Sequence, residues 1–304
     1  MWFKNLKIFR LSPTWQPSSE ELEALLEKQQ FVPEQFSGEP LNLGWAPFFE
    51  EEGTLLHKIG HQYLLKLKVE KKLLPTSVIN QFAKTKAQEI EEQQGYKVGR
   101  KQMKEIKENV AAVLRTKAFS IYRETRVWID PENHWLIIDT GASNKADEVI
   151  GMLAKILDPL PILSFITEQS PTSSMTRWLV DDEVPTPFTI DQDTELKSMT
   201  DSRISVRYAN HSPEQEEITR HITAGKTCTR LALTWNDRVS FMLNDAGDIR
   251  RITPLEVLAE SREVVNSDDA IEHFDAEMLL MFGELNGLLN DLTQALGGEK
   301  KASQ

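Results

Sequence analysis

Cysteine is nearly missing from this sequence, because Cys228 is the only one among 304 residues. A single thiol excludes a disulfide framework within one chain, and it equally excludes a metal site built from several cysteines of that chain. Such a composition is typical of proteins from a reducing compartment.

Long apolar runs are missing as well. No stretch reaches the roughly 18 consecutive apolar residues that predict a transmembrane helix, so we expect no membrane partner. The N-terminal residues MWFKNLKIFRL lack the apolar core of a secretory signal. Together these features predict a cytoplasmic protein. Hydrophobic residues nevertheless make up 40% of the chain, enough for the core of one large domain or two smaller ones.

Positive charge is scarce overall but concentrated in one segment. The chain has 35 Lys and Arg against 47 Asp and Glu, a net charge of −12. Residues 58–126 nonetheless contain 16 basic and 7 acidic residues, a net of +9, while the remainder carries −21. This asymmetry suggests a polyanion that is bound locally and repelled elsewhere. The alternative is a solvated helical surface without a ligand.

Residues 73–118 are predicted to form a helical hairpin within this basic segment. A helical pattern runs over residues 76–94 and stops at Gly95, and a second helix covers about residues 100–116. The apolar side of this second helix is formed by Val110, Val113 and Leu114.

A basic stripe follows the start of the second helix, opposite that apolar side. Spacings of three and four place its members on one helical face. They are Lys97, Arg100, Lys101, Lys104 and Lys107, with Arg115 and Lys117 nearby. The seven tryptophans are dispersed and do not alternate with these residues, which favours phosphate contact over base stacking.

The other periodicities predict an α+β protein with mixed sheets, from which the hairpin projects. Ser18 and Glu21 have the spacing of a capping box at the start of a helix. Residues 31–53, rich in Pro and Gly, predict a loop that carries Trp45. The predicted units are residues 1–72 with 119–170, the inserted hairpin at 73–118, and a second α+β unit at 171–304 that ends in a long helix.

The segment LIIDTGAS at 136–143 resembles the catalytic turn of retroviral-type aspartic proteases. In that turn two Asp carboxylates share a proton, and one Asp139 per chain could act in a homodimer. A helical pattern begins directly afterwards, which favours a structural strand-to-helix turn. In that case Gly141 relaxes the backbone and Ser143 caps the helix, and we expect Asp139 to be structural.

Two further motifs are incomplete as cofactor sites. Gly225-Lys226-Thr227 resembles the end of a phosphate-binding loop, but Arg220 stands where that loop needs glycine, and the segment ends a helix. His57 and His61 have a spacing that suits a metal on a helix, yet no third ligand is evident. We therefore expect no metal, no cofactor and no catalytic residue.

Several short motifs, in order along nearly the whole chain, together resemble those of a known protein family. They are MWFKNL at 1–6, LGW at 43–45, LLP at 73–75, AFS at 118–120, WID at 128–130, EEITRHITAGK at 216–226, LALTWNDR at 231–238, LLMFGEL at 279–285 and LGG at 296–298. In combination they resemble the RdgC family of recombination-associated bacterial proteins.

The resemblance implies a non-enzymatic, nucleoid-associated protein that binds double-stranded DNA with little sequence preference. It also implies a homodimer closed into a ring around a basic hole, which restrains RecA-driven strand exchange. Phe119 is implied at one contact between the subunits, and the loop of Asn210, His211 and Ser212 at the other. Two alternatives stay open: an interaction protein that binds RecA with incidental DNA contact, and the protease that uses Asp139.

Overall fold

The computed structural model describes residues 2–33, 39–49, 53–201, 203–258 and 270–300. Within these ranges the helices are α1 (Ser19–Glu27), α2 (Thr76–Gln94), α3 (Arg100–Arg115), α4 (Ser143–Ala154), α5 (Pro171–Asp181), α6 (Gln215–Thr223) and α7 (Ala270–Ala295). No helix in the described ranges is long and apolar enough to cross a bilayer.

The strands are β1 (Asn5–Leu11), β2 (Leu41–Ala46), β3 (Leu56–Ile59), β4 (Gln62–Lys72), β5 (Ser120–Asp130), β6 (Trp135–Ile138), β7 (Ile162–Ser164), β8 (Phe188–Ser198), β9 (Ser205–Tyr208), β10 (Lys226–Trp235), β11 (Val239–Asn244) and β12 (Ile249–Pro254). They form one sheet in the order β2-β4-β5-β6-β1-β12-β11-β10-β8-β9, with β3 added to β4 and β7 to β1. All pairs between these strands are antiparallel. The α+β class is therefore confirmed, but an antiparallel sheet replaces the expected mixed sheets.

Strand β1 joins the two halves of the sheet. It pairs with β6 along one edge, and its residues Asn5 and Leu6 pair with Arg250 and Ile249 of β12 on the other. Strands β2 to β7 come from the predicted first unit, and β8 to β12 come from the second. The division into units stays a prediction, and residues 202, 259–269 and 301–304 of the second unit lie outside the described ranges.

The core is layered on both faces of the sheet. Helix α7 packs on one face, where the Phe282 ring stacks on Trp128 at a centroid distance of 4.7 Å. Helices α1 and α4 cover the opposite face of the first half. Because successive strand residues point to opposite faces, Leu64 belongs to the α7 side and Leu65 to the α1–α4 side.

The predicted loop at 31–53 was wrong in its central part. Residues 41–46 form β2, in which Trp45 is fully buried and pairs with Leu67 of β4. Tertiary pairing thus overrides the local Pro and Gly composition. Residues 34–38 and 50–52 of that loop lie outside the described ranges. The capping box is confirmed, because Ser18 Oγ accepts from the Glu21 N–H and the Glu21 carboxylate accepts from the Ser18 N–H.

Candidate nucleic-acid interface

The basic hairpin consists of α2 and α3 and is inserted between the neighbouring strands β4 and β5. Strands β4 and β5 pair along their whole length, up to Lys72 opposite Ser120. At this end the buried Glu70 carboxylate accepts a hydrogen bond from Ser120 Oγ at 2.6 Å and pairs with Lys72 Nζ at 3.1 Å. The Leu73 N–H donates to the Phe119 carbonyl at 2.7 Å. Both ends of the hairpin are therefore anchored in the sheet.

The two helices pack on each other through a small apolar cluster of their own. Ala83 and Ala87 of α2 meet Ile106 of α3, and the cluster is separate from the two larger cores. Gly95 ends α2 with a left-handed φ of +75°. The Glu91 carboxylate then accepts from the backbone N–H of Val98 at 2.8 Å, which fixes the turn into α3.

The apolar side of α3 differs from the predicted one. Val113 is 60% exposed, whereas Ile106 is buried and Met103 and Val110 pack around it. The spacing 103, 106 and 110 is a helical stripe, so the predicted Val110 does belong to the covered side, whereas Val113 faces solvent and Leu114 is only partly buried. The composition of α3 alone does not reveal where α2 ends.

The predicted basic residues lie together on the hairpin. Lys97 is in the turn before α3, and Arg100, Lys101, Lys104 and Lys107 occupy its first turns, all exposed to solvent. Two more lie at the base of the hairpin: Arg115, which is half-buried, and Lys117, which is exposed. The structure thus brings the seven predicted residues onto one projecting element.

The charges of these side chains are largely uncompensated. Lys104 Nζ lies 3.7 Å from the Glu108 carboxylate, an exposed pair one helical turn apart, and such pairs bind weakly. The other six side chains make no hydrogen bond or ion pair with any described residue. In contrast, two arginines of β5 are paired: Arg123 with Glu148 and Arg126 with Asp139. The hairpin therefore offers free positive charge to an anionic ligand.

The tryptophans are too buried to stack on such a ligand. Six of the seven are buried and Trp15 is partly buried in the core under α1 and α4. The hairpin does expose two other aromatic side chains, Phe82 and Tyr96, but the basic residues named above outnumber them, which favours contacts to phosphates.

The residues implied at subunit contacts lie at two separate places on the surface. Phe119, between α3 and β5, is 86% exposed. Asn210 and His211 are exposed in the loop after β9, the terminal strand at the other end of the sheet. Asn210 has a φ of +52°, and its N–H donates to Asp193 Oδ1 at 2.8 Å, which orders the start of this loop. Their role in dimerisation stays a prediction.

The DTG motif forms a structural turn. Asp139 Oδ1 accepts hydrogen bonds from the N–H groups of Lys4 and Asn5, each at 3.0 Å, and Oδ2 pairs with Arg126 at 2.6 Å. Both carboxylate oxygens therefore hold neighbouring strands together.

The cap predicted for the following helix was wrong. Ala142 is the N-cap of α4 and Ser143 the first helical residue, and no side chain caps this end. Thr140 Oγ1 accepts instead from the Ala142 N–H at 3.1 Å. Gly141 has no left-handed φ, so the turn does not require its conformational freedom.

The two incomplete cofactor motifs also have structural roles. His57 Nε2 lies 2.6 Å from Asp275 of α7, and the described residues contain no group of three or more His, Cys, Asp or Glu arranged to hold a metal ion. Gly225 ends α6 with a φ of +82°, and β10 begins at Lys226. A phosphate-binding loop would instead open a helix there.

Comparison with known proteins gives consistent matches over the whole chain. A family model described as "Putative exonuclease, RdgC" matches residues 1–299. A protein of Bordetella parapertussis named "Recombination-associated protein RdgC" is 55% identical over 305 residues, covering 99% of this chain and 100% of that protein. Proteins of the same name from Cupriavidus necator and Burkholderia ambifaria are 53% and 46% identical; the matches cover 99% and 100% of this chain, and 100% and 98% of the respective proteins.

Proposed function

Because this chain belongs to the RdgC family of recombination-associated proteins, we propose that it binds double-stranded DNA without sequence specificity. Two copies form a ring-shaped homodimer that encircles the duplex in the nucleoid and restrains recombination promoted by RecA. The protein acts by binding and not by catalysis.

The observation that carries this proposal is the free charge on the hairpin. Duplex DNA has one negative charge per roughly 1.7 Å of axis. A row of exposed cations, of which only Lys104 lies within 4 Å of a described carboxylate, suits this polyanion, whereas the chain outside residues 58–126, with its net charge of −21, repels it. Contact with phosphates alone carries little sequence information, which accounts for binding without sequence preference.

Ring closure is supported by the separation of Phe119 from Asn210 and His211. Two self-complementary contacts per subunit, placed near opposite ends of an extended sheet, can close a two-fold dimer around an opening. A single contact would instead leave an open pair. In the closed arrangement the hairpin of each subunit faces the opening, and the acidic remainder faces outward.

Restraint of RecA follows if the ring occupies the duplex that strand exchange requires. The alternative is direct contact with RecA, with DNA binding incidental. The two mechanisms differ in whether inhibition depends on the hairpin charges.

The test is a titration of duplex DNA at several salt concentrations, with two unrelated sequences. The stripe variant changes Lys97, Arg100, Lys101 and Lys104 to Glu. Each lost phosphate contact should reduce the slope of log affinity against log salt by about 0.9, so four lost contacts in each subunit should remove about 3.6 per subunit, or about 7.2 for the dimer. A matched control carries the same charge change at four exposed positions elsewhere: Lys28, Lys155, Arg177 and Lys300.

We expect weaker binding and a flatter slope for the stripe variant on both sequences, with the control close to wild type. Unchanged affinity and slope in a folded stripe variant would show that the stripe is only a solvated surface and does not contact DNA. Inhibition of RecA strand exchange is measured in parallel, and inhibition that survives the loss of DNA binding would favour direct contact. Degradation of the duplex by the wild type in the presence of Mg²⁺ would contradict a non-catalytic role.

A further inference from the structure

Four arginines surround a pocket on the open face of the second half of the sheet. The face of β8 to β12 that lies on the same side as α4 is not covered by a described helix. A pocket of about 250 Å³ lies there, lined by Arg207, Arg230, Arg250 and Arg251 together with Asp193 and Glu195. It is built from the second α+β unit together with Asn5 of β1 and Gly141 after β6, and is therefore a different feature from the hairpin.

Strand pairing brings these side chains to one place. Glu195 of β8 stands opposite Arg207 of β9 on one side and opposite Arg230 of β10 on the other. Arg250 of β12 stands opposite Asn5 of β1, which also lines the pocket. Paired residues of antiparallel strands point to the same face, so the row of arginines follows from the register.

A backbone irregularity adds the fourth arginine. Neighbouring residues in a strand normally point to opposite faces, yet Arg250 and Arg251 both line this pocket. The pairing of β11 with β12 shifts register between Ser240 and Met242, and Arg251 has a φ of +54°. Backbone conformations of this kind cost free energy and are concentrated at functional sites.

The two pocket carboxylates are already engaged. Glu195 pairs with Arg230 and with Lys197, each at 3.0 Å. Asp193 pairs with Arg251 at 3.2 Å and accepts from the Asn210 N–H. The carboxylate nearest to Arg250, that of Asp248, is 4.0 Å away and pairs with Lys7 at 3.1 Å.

Two guanidinium groups are therefore left without a close anion. The Arg207 side chain makes no hydrogen bond or ion pair with any described residue. Arg250 Nε is buried and has no hydrogen-bond partner within the described ranges. This nitrogen is one of several buried polar atoms without a partner in the described structure, and because it is closed to solvent a ligand would meet the exposed part of the Arg250 side chain instead.

We propose that this arginine pocket binds a phosphate group. Planar guanidinium groups bind phosphate oxygens through paired N–H donors, and the excess of two positive charges in the pocket matches the charge of a phosphate. The same chemistry could come from the backbone of bound DNA or from a free phosphate compound. The first source rests on the proposed function, whereas the second does not.

Two variants test the pocket with little risk to the fold. Arg207→Gln removes an exposed charge without a structural partner. Gly141→Asp adds a carboxylate to the pocket wall, because a Cβ at Gly141 would lie 3.7 Å from Arg250 Nε, an ordinary contact distance. Matched controls are Arg203→Gln, an exposed arginine that pairs with Asp201 outside the pocket, and Gly141→Ala, which adds the Cβ without the charge.

The measurement is calorimetric titration of the full chain with inorganic phosphate at constant ionic strength, with thermal unfolding as the check on folding. We expect binding by the wild type and by both controls, weakened about tenfold in Arg207→Gln and Gly141→Asp by the loss of charge-assisted hydrogen bonds. In parallel, the salt dependence of duplex binding is measured for the same proteins.

The two measurements separate the sources of the phosphate. A salt slope that falls by about 0.9 per subunit in Arg207→Gln, but not in the controls, assigns the pocket to DNA, whether or not inorganic phosphate alone binds. Phosphate binding that depends on the pocket, with an unchanged slope, assigns it to a free phosphate compound. No phosphate binding and no change of slope would overturn the proposal, as would equal losses in the controls. If the wild type binds no duplex, the proposed function fails. In that case the phosphate titration alone shows whether the arginine pocket binds phosphate.

Discussion

The Asp139 carboxylate lies 2.6 Å from the Arg126 guanidinium, and the pair connects the end of β6 to the middle of β5. Arg126 also donates to the Trp2 carbonyl at 3.0 Å, and its guanidinium lies 4.8 Å from the centre of the Phe3 ring. Asp139 in turn accepts from the N–H groups of Lys4 and Asn5. The pair thus fixes the N-terminal segment against the centre of the sheet.

This arrangement predicts that Asp139→Asn destabilises the protein. The amide keeps one acceptor but loses the charge opposite Arg126, so the free energy of unfolding should fall by about 1–3 kcal/mol. Chemical denaturation measures it, and Asp147→Asn, an exposed carboxylate of α4, should change it little. Peptide cleavage by the wild type at acidic or neutral pH that Asp139→Asn abolishes would instead support the protease.

Steric crowding explains why position 44, in the LGW motif, is a glycine. A Cβ on Gly44 would lie 2.4 Å from Phe31 Cα and 2.5 Å from Phe31 N, and both are backbone atoms that cannot move aside. We expect Gly44→Ala to lower the free energy of unfolding by about 2–4 kcal/mol. Gly151→Ala in α4 is the control, since its Cβ meets nothing within 4 Å and alanine favours a helix by about 1 kcal/mol. Equal stability of the Gly44 variant and the wild type would contradict the close approach.

The single thiol should be inert in the folded protein. Burial raises the pKa of the Cys228 thiol far above its ordinary value. The folded state therefore keeps its proton where the unfolded chain loses it, so stability is complete below about pH 8.5 and falls as the pH rises above that value. We expect slow alkylation at pH 8 without denaturant, and a flatter decline of unfolding free energy above pH 9 in Cys228→Ala. Rapid alkylation of the folded protein would refute this.

The small core of the hairpin should be its weak point. Ile106→Ala removes the largest buried side chain between α2 and α3, and such truncations cost about 2–5 kcal/mol in larger cores. Hydrogen exchange should therefore speed up in both helices while the strands stay protected, and duplex binding should weaken because the stripe loses its support. Val113→Ala, at an exposed site on the same helix, should change neither. Faster exchange throughout the sheet would show that the hairpin is not an independent unit.

Elements with a strong local signal could be predicted from the sequence. The pattern at 76–94 is α2 to the residue, because Pro75 and Gly95 delimit it. Strand β2 was missed since its burial comes from pairing with β4. Helix α5 was not predicted although Ser170 caps it, Pro171 opens it and Met175, Trp178 and Leu179 have helical spacing. Strand β8 was missed because most of its residues are polar and give no regular alternation.

The candidate site divides in the same way. The excess of basic residues predicted the hairpin as the DNA-binding element, because a run of Lys and Arg can be seen in the sequence without knowing which residues meet in the fold. The arginine pocket could not be predicted, because Arg207, Arg230 and Arg250 are far apart in the chain and meet only through strand register. The left-handed Arg251 leaves no mark in the sequence at all.

Phe119 should anchor one of the two proposed contacts between subunits. A phenylalanine that is 86% exposed, three residues before the exposed Tyr122, is the kind of side chain that fills a partner's pocket. We expect the wild type to sediment as a dimer at micromolar concentration, and Phe119→Ser to weaken dimerisation about tenfold or more. Ile166→Ser, an exposed apolar residue elsewhere, should leave the dimer intact. Because the hairpin charges remain, Phe119→Ser should still bind DNA weakly. The slope of its log affinity against log salt should be the one expected for the phosphate contacts of a single subunit. A wild type that sediments as a monomer without DNA would contradict the ring itself.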